Sequence, residues 1–233
     1  MDKKIAAVTG GNRGIGFQIC RDLAKKGFKV LLTARDPGKG NRSARNLQDE
    51  GLDVEFYPLD VISTESIDKF SEKILAEFGR LHVLVNNAAI LPDEISPALS
   101  VGLEEVRETI ETNVYGVLRL SQKLIPPMIE NNYGRIMNLS SGMGQLSDMG
   151  SGYLAYRVSK TALNAVTRVL AQETSGYDIQ INAVDPGWVK TDMGGSNAPS
   201  TPEEGADTAV WLSTRPAGEP SGMFYKNRKI LDW

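Results

Sequence analysis

Short apolar runs alternate with longer segments of helical periodicity along this chain of 233 residues, and the alternation constrains the fold more than any other feature. The runs are brief and rich in Ile, Val and Leu, which is typical of buried strands. They lie at 4–9, 29–34, 54–57, 81–85, 135–139 and 179–184. Between them, apolar residues recur at helical spacing, as Ile15, Ile19 and Leu23 do. Apolar strands that alternate with helices indicate a parallel sheet covered on both faces.

Helix signals complete the pattern. A first helix is predicted from Gly14 to a stop at Gly27, and a last one opens at the capping box of Thr201. The others are predicted at 42–50, 63–78, 103–129 and 154–174, the third of them ending near Pro126 and Pro127. We therefore predict an α/β fold, a Rossmann-type doubly wound sheet of about seven parallel strands in the order 3-2-1-4-5-6-7. Ligands of such sheets bind beyond the carboxyl ends of the strands.

Composition excludes several kinds of chemistry. Lys and Arg total 26 and Asp and Glu total 29, a net charge of −3 that predicts neither a nucleic-acid nor a membrane partner. Cys20 is the one cysteine and His82 the one histidine, so we expect no disulfide, no metal site and no Ser-His-Asp catalysis. Acid–base work is left to Tyr, Lys, Asp or Glu. The absence of a targeting segment in the sequence leads us to expect a cytoplasmic protein.

A glycine-rich turn follows the first strand and opens the first helix. Its sequence, residues 9–16, is TGGNRGIG. Gly10 can make the tight turn, Gly14 can admit a ligand closely, and Gly16 can allow close helix packing. The free N–H groups of the helix would bind a pyrophosphate. The candidate cofactor ligands here are Gly10, Asn12, Arg13, Gly14, Ile15 and Gly16. With no linker or repeat in the chain, residues 1–233 are predicted to form a single dinucleotide-binding domain.

The end of the second strand bears on the choice of dinucleotide. Ala34 leaves room there, and Arg35 can pair with a 2′-phosphate through its guanidinium, as Arg13 can from the glycine turn. NADPH/NADP⁺ is therefore favoured. Asp36 could instead bind a ribose 2′-hydroxyl, which keeps NAD open as an alternative.

Tyr156 and Lys160 are four residues apart on a predicted helix and therefore share a face. A phenol of ordinary pKa near 10 is a poor acid–base catalyst at neutral pH, and a neighbouring ammonium lowers that pKa. Such a pair can protonate a carbonyl oxygen as hydride arrives.

Taken together, the motifs resemble those of the short-chain dehydrogenase/reductase family over essentially the whole chain. They are TG-x3-G-x-G at 9–16, Asn86-Asn87-Ala88, Asn113, Ser140-Ser141, Tyr156-x3-Lys160 and Pro186-Gly187, in the family's order. The segments LLTARD at 31–36 and PGWVKTDM at 186–193 look like those of NADPH-dependent carbonyl reductases.

The resemblance implies roles for further residues. Tyr156 would donate the proton, Lys160 would bond the nicotinamide-ribose hydroxyls and lower the tyrosine pKa, Ser141 would hold the substrate carbonyl oxygen, and Asn113 would hold a relay water. The implied cofactor contacts are Asp60 with Val61 at the adenine, Asn87 and Ala88 at the adenosine ribose, and Pro186, Gly187, Val189 and Thr191 near the nicotinamide carboxamide.

Some departures and alternatives stay open. Ala89 stands where the family usually has Gly, and Ser140 is an alternative to Ser141. The chain lacks the long insertion that vertebrate-type carbonyl reductases carry before the Tyr helix, so a homodimer or homotetramer is compatible with the sequence, as is a monomer.

The sequence predicts an NADPH-dependent reductase of a small-molecule carbonyl substrate. An apolar or aromatic ketone, aldehyde or quinone is favoured, because the segments near the site carry no cationic cluster. The alternatives are a 3-oxoacyl carrier-protein reductase, another short-chain alcohol dehydrogenase, and a non-catalytic NADP(H)-sensing regulatory protein.

Overall fold

The strands of the computed structural model, which describes residues 3–92 and 97–233, form one sheet in the order β3-β2-β1-β4-β5-β6-β7-β8. The strands are β1 Ile5–Val8, β2 Lys29–Ala34, β3 Val54–Pro58, β4 Val83–Asn86, β5 Gly134–Leu139, β6 Ile179–Val184, β7 Phe224–Lys226 and β8 Lys229–Leu231. The first seven pair in parallel and β8 pairs antiparallel to β7. The predicted Rossmann order is confirmed, with one strand more than the predicted number.

Helices cover both faces of the sheet. They are α1 Gly14–Lys25, α2 Pro37–Asp49, α3 Thr64–Phe78, α4 Leu103–Ile110, α5 Gly116–Glu130, α6 Leu154–Glu173 and α7 Pro202–Leu212. A π-helical segment, Glu111–Tyr115, joins α4 to α5 without a break. Alternate residues of β1 point to the two faces: Ala6 and Val8 join the core beneath α1 and α7, whereas Ile5 and Ala7 join the core beneath α3 and α5. No helix in the described ranges is long and apolar enough to cross a membrane.

Two helix boundaries differ from the prediction. α2 begins at Pro37 rather than at residue 42, because the Asp36 carboxylate accepts the Lys39 N–H at 2.9 Å and Pro37 takes the first helical position. α5 continues through Pro126 and Pro127 to Glu130. The carbonyls that lose their helical donors belong to exposed residues one turn earlier, where water can replace the missing N–H groups.

The β7–β8 hairpin was not predicted. Its turn places Asn227 and Arg228 at φ of 49° and 62°, the left-handed conformation that two-residue hairpin turns require. Such turns usually contain glycine, and this one does not, so the usual signal is missing from the sequence.

Candidate active site

The glycine-rich turn is held against the end of β4. Thr9 Oγ1 accepts the N–H groups of Asn87 and Ala88, both at 2.9 Å, and Asn87 Nδ2 donates to Thr9 O at 2.9 Å. Gly16 makes the closest approach, since a Cβ there would lie 2.4 Å from Asn87 Nδ2 and 2.5 Å from Gly10 O. Thr9, the first residue of the TG-x3-G-x-G motif, therefore anchors the turn.

Backbone geometry at this turn suits an anion. Gly10 and Gly14 have φ of +62° and +55°, which glycine adopts without strain. Arg13 is the N-cap residue of α1, and in the described part of the chain no side chain caps this helix end. The first N–H groups of α1 and the partial positive charge at this helix end are therefore open to a ligand at the carboxyl edge of the sheet.

The residues expected near an adenosine lie at the ends of β2 and β3. Arg35 is exposed just after β2. The neighbouring Asp36 caps α2, and the hydrogen bond from the Lys39 backbone lowers the pKa of its carboxyl. Asp60 and Val61 are half-buried after β3, and the Val61 carbonyl packs against Gly116. Ser43 of α2 donates to Asn12 O at 2.8 Å, which ties α2 to the glycine-rich turn.

Tyr156 and Lys160 lie together on α6 beside the end of β5. Tyr156 is 9% exposed and Lys160 2% exposed. The Lys160 Nζ lies 5.3 Å from the centroid of the Tyr156 ring and donates to Leu139 O at 2.7 Å. Burial lowers the pKa of Lys160 to about 7. The shared face predicted from the four-residue spacing thus points into the sheet's carboxyl edge.

The two serines after β5 have different surroundings. Ser140 is buried, and its Oγ donates to Asn164 Oδ1 at 2.6 Å, so that side chain is engaged in packing against α6. Ser141 is half-buried, and its Oγ accepts the Met143 N–H at 3.1 Å. Ser141 is therefore the serine of the pair that retains access to the cleft.

Asn113 occupies the π-helical segment, where the Gly116 N–H reaches back five residues to Glu111 O. Its side-chain amide accepts from Ile90 N at 2.9 Å and donates to Ile90 O and to Ser159 Oγ, both at 3.0 Å. Ser159 in turn donates to Tyr156 O at 2.7 Å. The Asn113 side chain thus joins the segment after β4 to the helix that carries Tyr156, and Ser159 is a link the sequence analysis missed.

The segment after β6 packs across the glycine-rich turn. Val189 is buried against Gly205 of α7, and a Cβ at Gly14 would lie 3.0 Å from Thr191 Cγ2. Arg13 Nη1 lies 2.6 Å from Asp192 Oδ2, an ion pair with both side chains exposed. Thr191 is accordingly close to the turn, and Val189 and Ile15 of α1 both lie beside Gly205. Pro186 and Gly187 follow β6 at the carboxyl edge of the sheet.

Exposed apolar side chains lie in the loops that follow two strands at the carboxyl edge of the sheet. Leu146 and Met149 follow β5, Trp188 and Met193 follow β6, and all four are exposed. Arg157 shapes the first of these loops, because its guanidinium donates to Gly152 O at 3.0 Å and reaches the carbonyls of Ser151 and Met143. No role for Arg157 is evident from the sequence.

The one histidine lies away from this site, and the one cysteine is buried beneath the glycine-rich turn. His82 Nδ1 accepts the Ile5 N–H at 3.0 Å at the opposite edge of the sheet, and burial lowers its pKa to about 4. Burial raises the pKa of the Cys20 thiol, which lies under Gly11. Among the described residues, no group of three or more His, Cys, Asp or Glu side chains could hold a metal ion.

The fold is a Rossmann-type α/β sheet with a glycine-rich turn and a buried Tyr-Lys pair at its carboxyl edge. A family model described as short chain dehydrogenase matches residues 4–201. The chain belongs to the short-chain dehydrogenase/reductase family.

Relatives and solved structures agree with this assignment. The chain is 34% identical over 278 residues to "Carbonyl reductase [NADPH] 1" of Rattus norvegicus, covering 100% of this chain and 99% of the relative. "Carbonyl reductase Sniffer" of D. melanogaster superposes with a TM-score of 0.91 at 26% identity, with 100% of both chains covered. The NADPH-bound carbonyl reductase from chicken fatty liver gives 0.88 at 29% identity, again over 100% of both chains. The resemblance to NADPH-dependent carbonyl reductases is thereby confirmed.

Proposed function

We propose that this chain is an NADP(H)-dependent oxidoreductase that reduces a carbonyl compound to an alcohol. The observation that carries the proposal is the buried Lys160, whose Nζ lies 5.3 Å from the Tyr156 ring and donates to Leu139 O, two residues before Ser141 at the end of β5. A cation held against a phenol beside a half-buried hydroxyl is an arrangement suited to protonating a carbonyl oxygen. The whole chain would serve as one dinucleotide-binding domain.

The residues of the cleft fit a nicotinamide dinucleotide. The open N-terminus of α1 and the positive-φ glycines of the turn suit a pyrophosphate. Arg35 is exposed at the position where a 2′-phosphate is expected, whereas the carboxylate of Asp36 is engaged in capping α2. This supports NADP(H) over NAD. When bound, the cofactor supplies a hydride to the carbonyl carbon.

The chain's own residues would handle the oxygen and the proton. Ser141 would hold the carbonyl oxygen by hydrogen bonding, and Tyr156 would donate its phenolic proton to that oxygen. Lys160 would stabilise the resulting phenolate, since a nearby positive charge favours the ionised form. Asn113 would keep a relay water in place. Its side chain joins the segment after β4 to α6 and so fixes the position of the site for that water.

The surroundings of the cleft support an apolar or aromatic ketone, aldehyde or quinone as substrate. Leu146 and Met149 after β5, and Trp188 and Met193 after β6, give the carboxyl edge of the sheet exposed apolar surface. Exposed apolar groups gathered around a cleft commonly mark a ligand-binding surface.

A cofactor-binding experiment tests the choice of nucleotide. Arg35→Ala should weaken NADPH binding at least about tenfold more than NADH binding, because the guanidinium–phosphate pair is charge-assisted. Arg45→Ala, which removes an exposed arginine from α2, is the matched control and should leave both affinities unchanged. Equal losses for NADPH and NADH in Arg35→Ala would remove this arginine from the 2′-phosphate.

A substrate panel tests the reaction. NADPH oxidation should be measured with apolar ketones, aromatic aldehydes, quinones and 3-oxoacyl thioesters. Turnover of the first three classes is expected. Preference for the thioesters would favour a carrier-protein reductase, and nucleotide binding with no turnover in any class would favour a regulatory protein.

A further inference from the structure

One buried carboxylate at the carboxyl edge of the sheet takes no part in the proposed chemistry. Asp185 directly follows β6 and is 4% exposed. Its backbone N–H donates to Tyr225 O at 2.8 Å and so extends the pairing of β6 with β7. The side chain is therefore fixed at the end of a central strand, at the edge where the cofactor is expected.

The Asp185 carboxylate contacts the ends of three neighbouring strands. Oδ1 accepts the Gly187 N–H at 2.9 Å, within the Pro186-Gly187 turn after β6. A Cβ at Gly142, next to Ser141 after β5, would lie 3.1 Å from Oδ2. Oδ2 also lies 2.8 Å from Lys226 Nζ at the end of β7.

The charges of Asp185 and Lys226 are exposed to water to different degrees. The Asp185 side chain is 4% exposed, whereas that of Lys226 is 42% exposed. A buried carboxylate needs a partner to offset its lost hydration, and Lys226 is the cation bonded to it. The net charge that Asp185 presents to the cleft therefore depends on its ion pair with Lys226.

We propose that Asp185 and Lys226 set the preference of this protein for the oxidation state of its cofactor, Asp185 by placing a fixed negative charge at the nicotinamide end of the cleft and Lys226 by cancelling it. This rests on the proposed function, and on the family resemblance, which implies that Pro186 and Gly187 contact the nicotinamide carboxamide. The nicotinamide ring is cationic in NADP⁺ and neutral in NADPH. An uncancelled Asp185 carboxylate would thus favour NADP⁺, and Lys226 keeps the reduced form bound.

The expected size follows from Coulomb's law. At an effective dielectric constant of about 20, two unit charges interact strongly enough to change a binding constant about tenfold when they are about 12 Å apart, and more when they are closer. Lys226→Met should therefore shift the ratio of NADP⁺ to NADPH affinity about tenfold towards NADP⁺. Adding Asp185→Asn should return the ratio to that of the wild type, since the amide oxygen can still accept the Gly187 N–H without a charge.

The experiment measures the Kd values for NADP⁺ and NADPH in the wild type, in Lys226→Met and in the double variant. Binding is monitored by the change in intrinsic protein fluorescence. Lys229→Met is the matched control, because Lys229 is exposed and faces Lys226 across the hairpin; it should leave the ratio unchanged. Should Lys226→Met fail to fold, Asp185→Asn alone replaces it, and its expected shift is in the opposite direction, towards NADPH.

Two results would overturn the inference: an unchanged ratio in Lys226→Met, or a shift that persists in the double variant. If Lys226→Met does not fold, an unchanged ratio in Asp185→Asn has the same meaning. A wild-type protein that binds neither nucleotide would refute the proposed function itself, and with it this inference. Normal nucleotide binding with no charge-dependent ratio refutes the inference alone.

Discussion

Burial of Lys160 should make the nucleotide-free protein less stable than it could be. The pKa of this lysine falls from 10.5 to about 7 because the ammonium loses its water. A drop of about 3.5 in pKa corresponds to about 5 kcal/mol of the free energy of unfolding. Lys160→Met removes that penalty and also the bond to Leu139 O, which is worth about 1–3 kcal/mol. At about pH 6 the variant should thus be about 2–4 kcal/mol more stable.

The effect has a definite pH dependence. Below about pH 7 the lysine is protonated in both the folded and the unfolded state, and the full penalty applies. As the pH rises towards the unfolded value of 10.5, the folded state releases this proton while the unfolded state keeps it. The wild type should therefore gain about 1.4 kcal/mol per pH unit relative to Lys160→Met.

Urea unfolding of the two proteins without nucleotide, at a series of pH values, measures the difference. Lys25→Met, which removes an exposed lysine from the last turn of α1, is the control and should show no pH-dependent difference. A Lys160→Met variant that is less stable than the wild type at about pH 6 would contradict a destabilising effect of burial. So would a difference in the free energy of unfolding that does not narrow with rising pH. A stabilising substitution here would mean that the lysine is retained for chemistry at the expense of stability.

Three further outcomes are expected. Gly16→Ala should cost about 1–3 kcal/mol of stability and weaken NADPH binding, because the new Cβ would lie 2.4 Å from Asn87 Nδ2; Gly176→Ala, where nothing lies within 4 Å, should do neither. Arg157→Met should release the loop after β5 and raise KM for a bulky ketone while leaving the NADPH Kd unchanged, and an equal loss of nucleotide affinity would contradict a role confined to that loop. Ser159→Ala should lower kcat more than it raises KM, because it removes a bond that positions α6; wild-type kcat at full NADPH saturation would refute that link.

Most strands and helices of the fold were predictable, because a buried segment has a recognisable apolar pattern in the sequence. Strands β1 to β6 are short apolar runs, and the capping box at Thr201 opens α7 as predicted. The hairpin of β7 and β8 has no comparable sequence pattern, since its strands have three residues each and its turn lacks glycine. The strand order followed from the general rule for doubly wound sheets.

The candidate site was predictable where a motif has fixed spacing along one element. Tyr156 and Lys160 share a helical face for that reason. Arg157 and Asp185 could not be found in this way, because Arg157 acts through the carbonyls of an irregular loop and Asp185 pairs with Lys226 on another strand. Their importance arises from tertiary contacts, which a pattern in one element does not contain.

The central claim is that Tyr156 donates the proton during carbonyl reduction, and one comparison tests it most directly. The rate of NADPH oxidation at saturating carbonyl substrate should be measured in Tyr156→Phe and in Tyr153→Phe, together with the Kd for NADPH. Loss of a positioned general acid typically costs about 100-fold or more in rate. We expect that loss in Tyr156→Phe with NADPH affinity retained, and a wild-type rate in Tyr153→Phe. A wild-type rate in Tyr156→Phe would contradict the account.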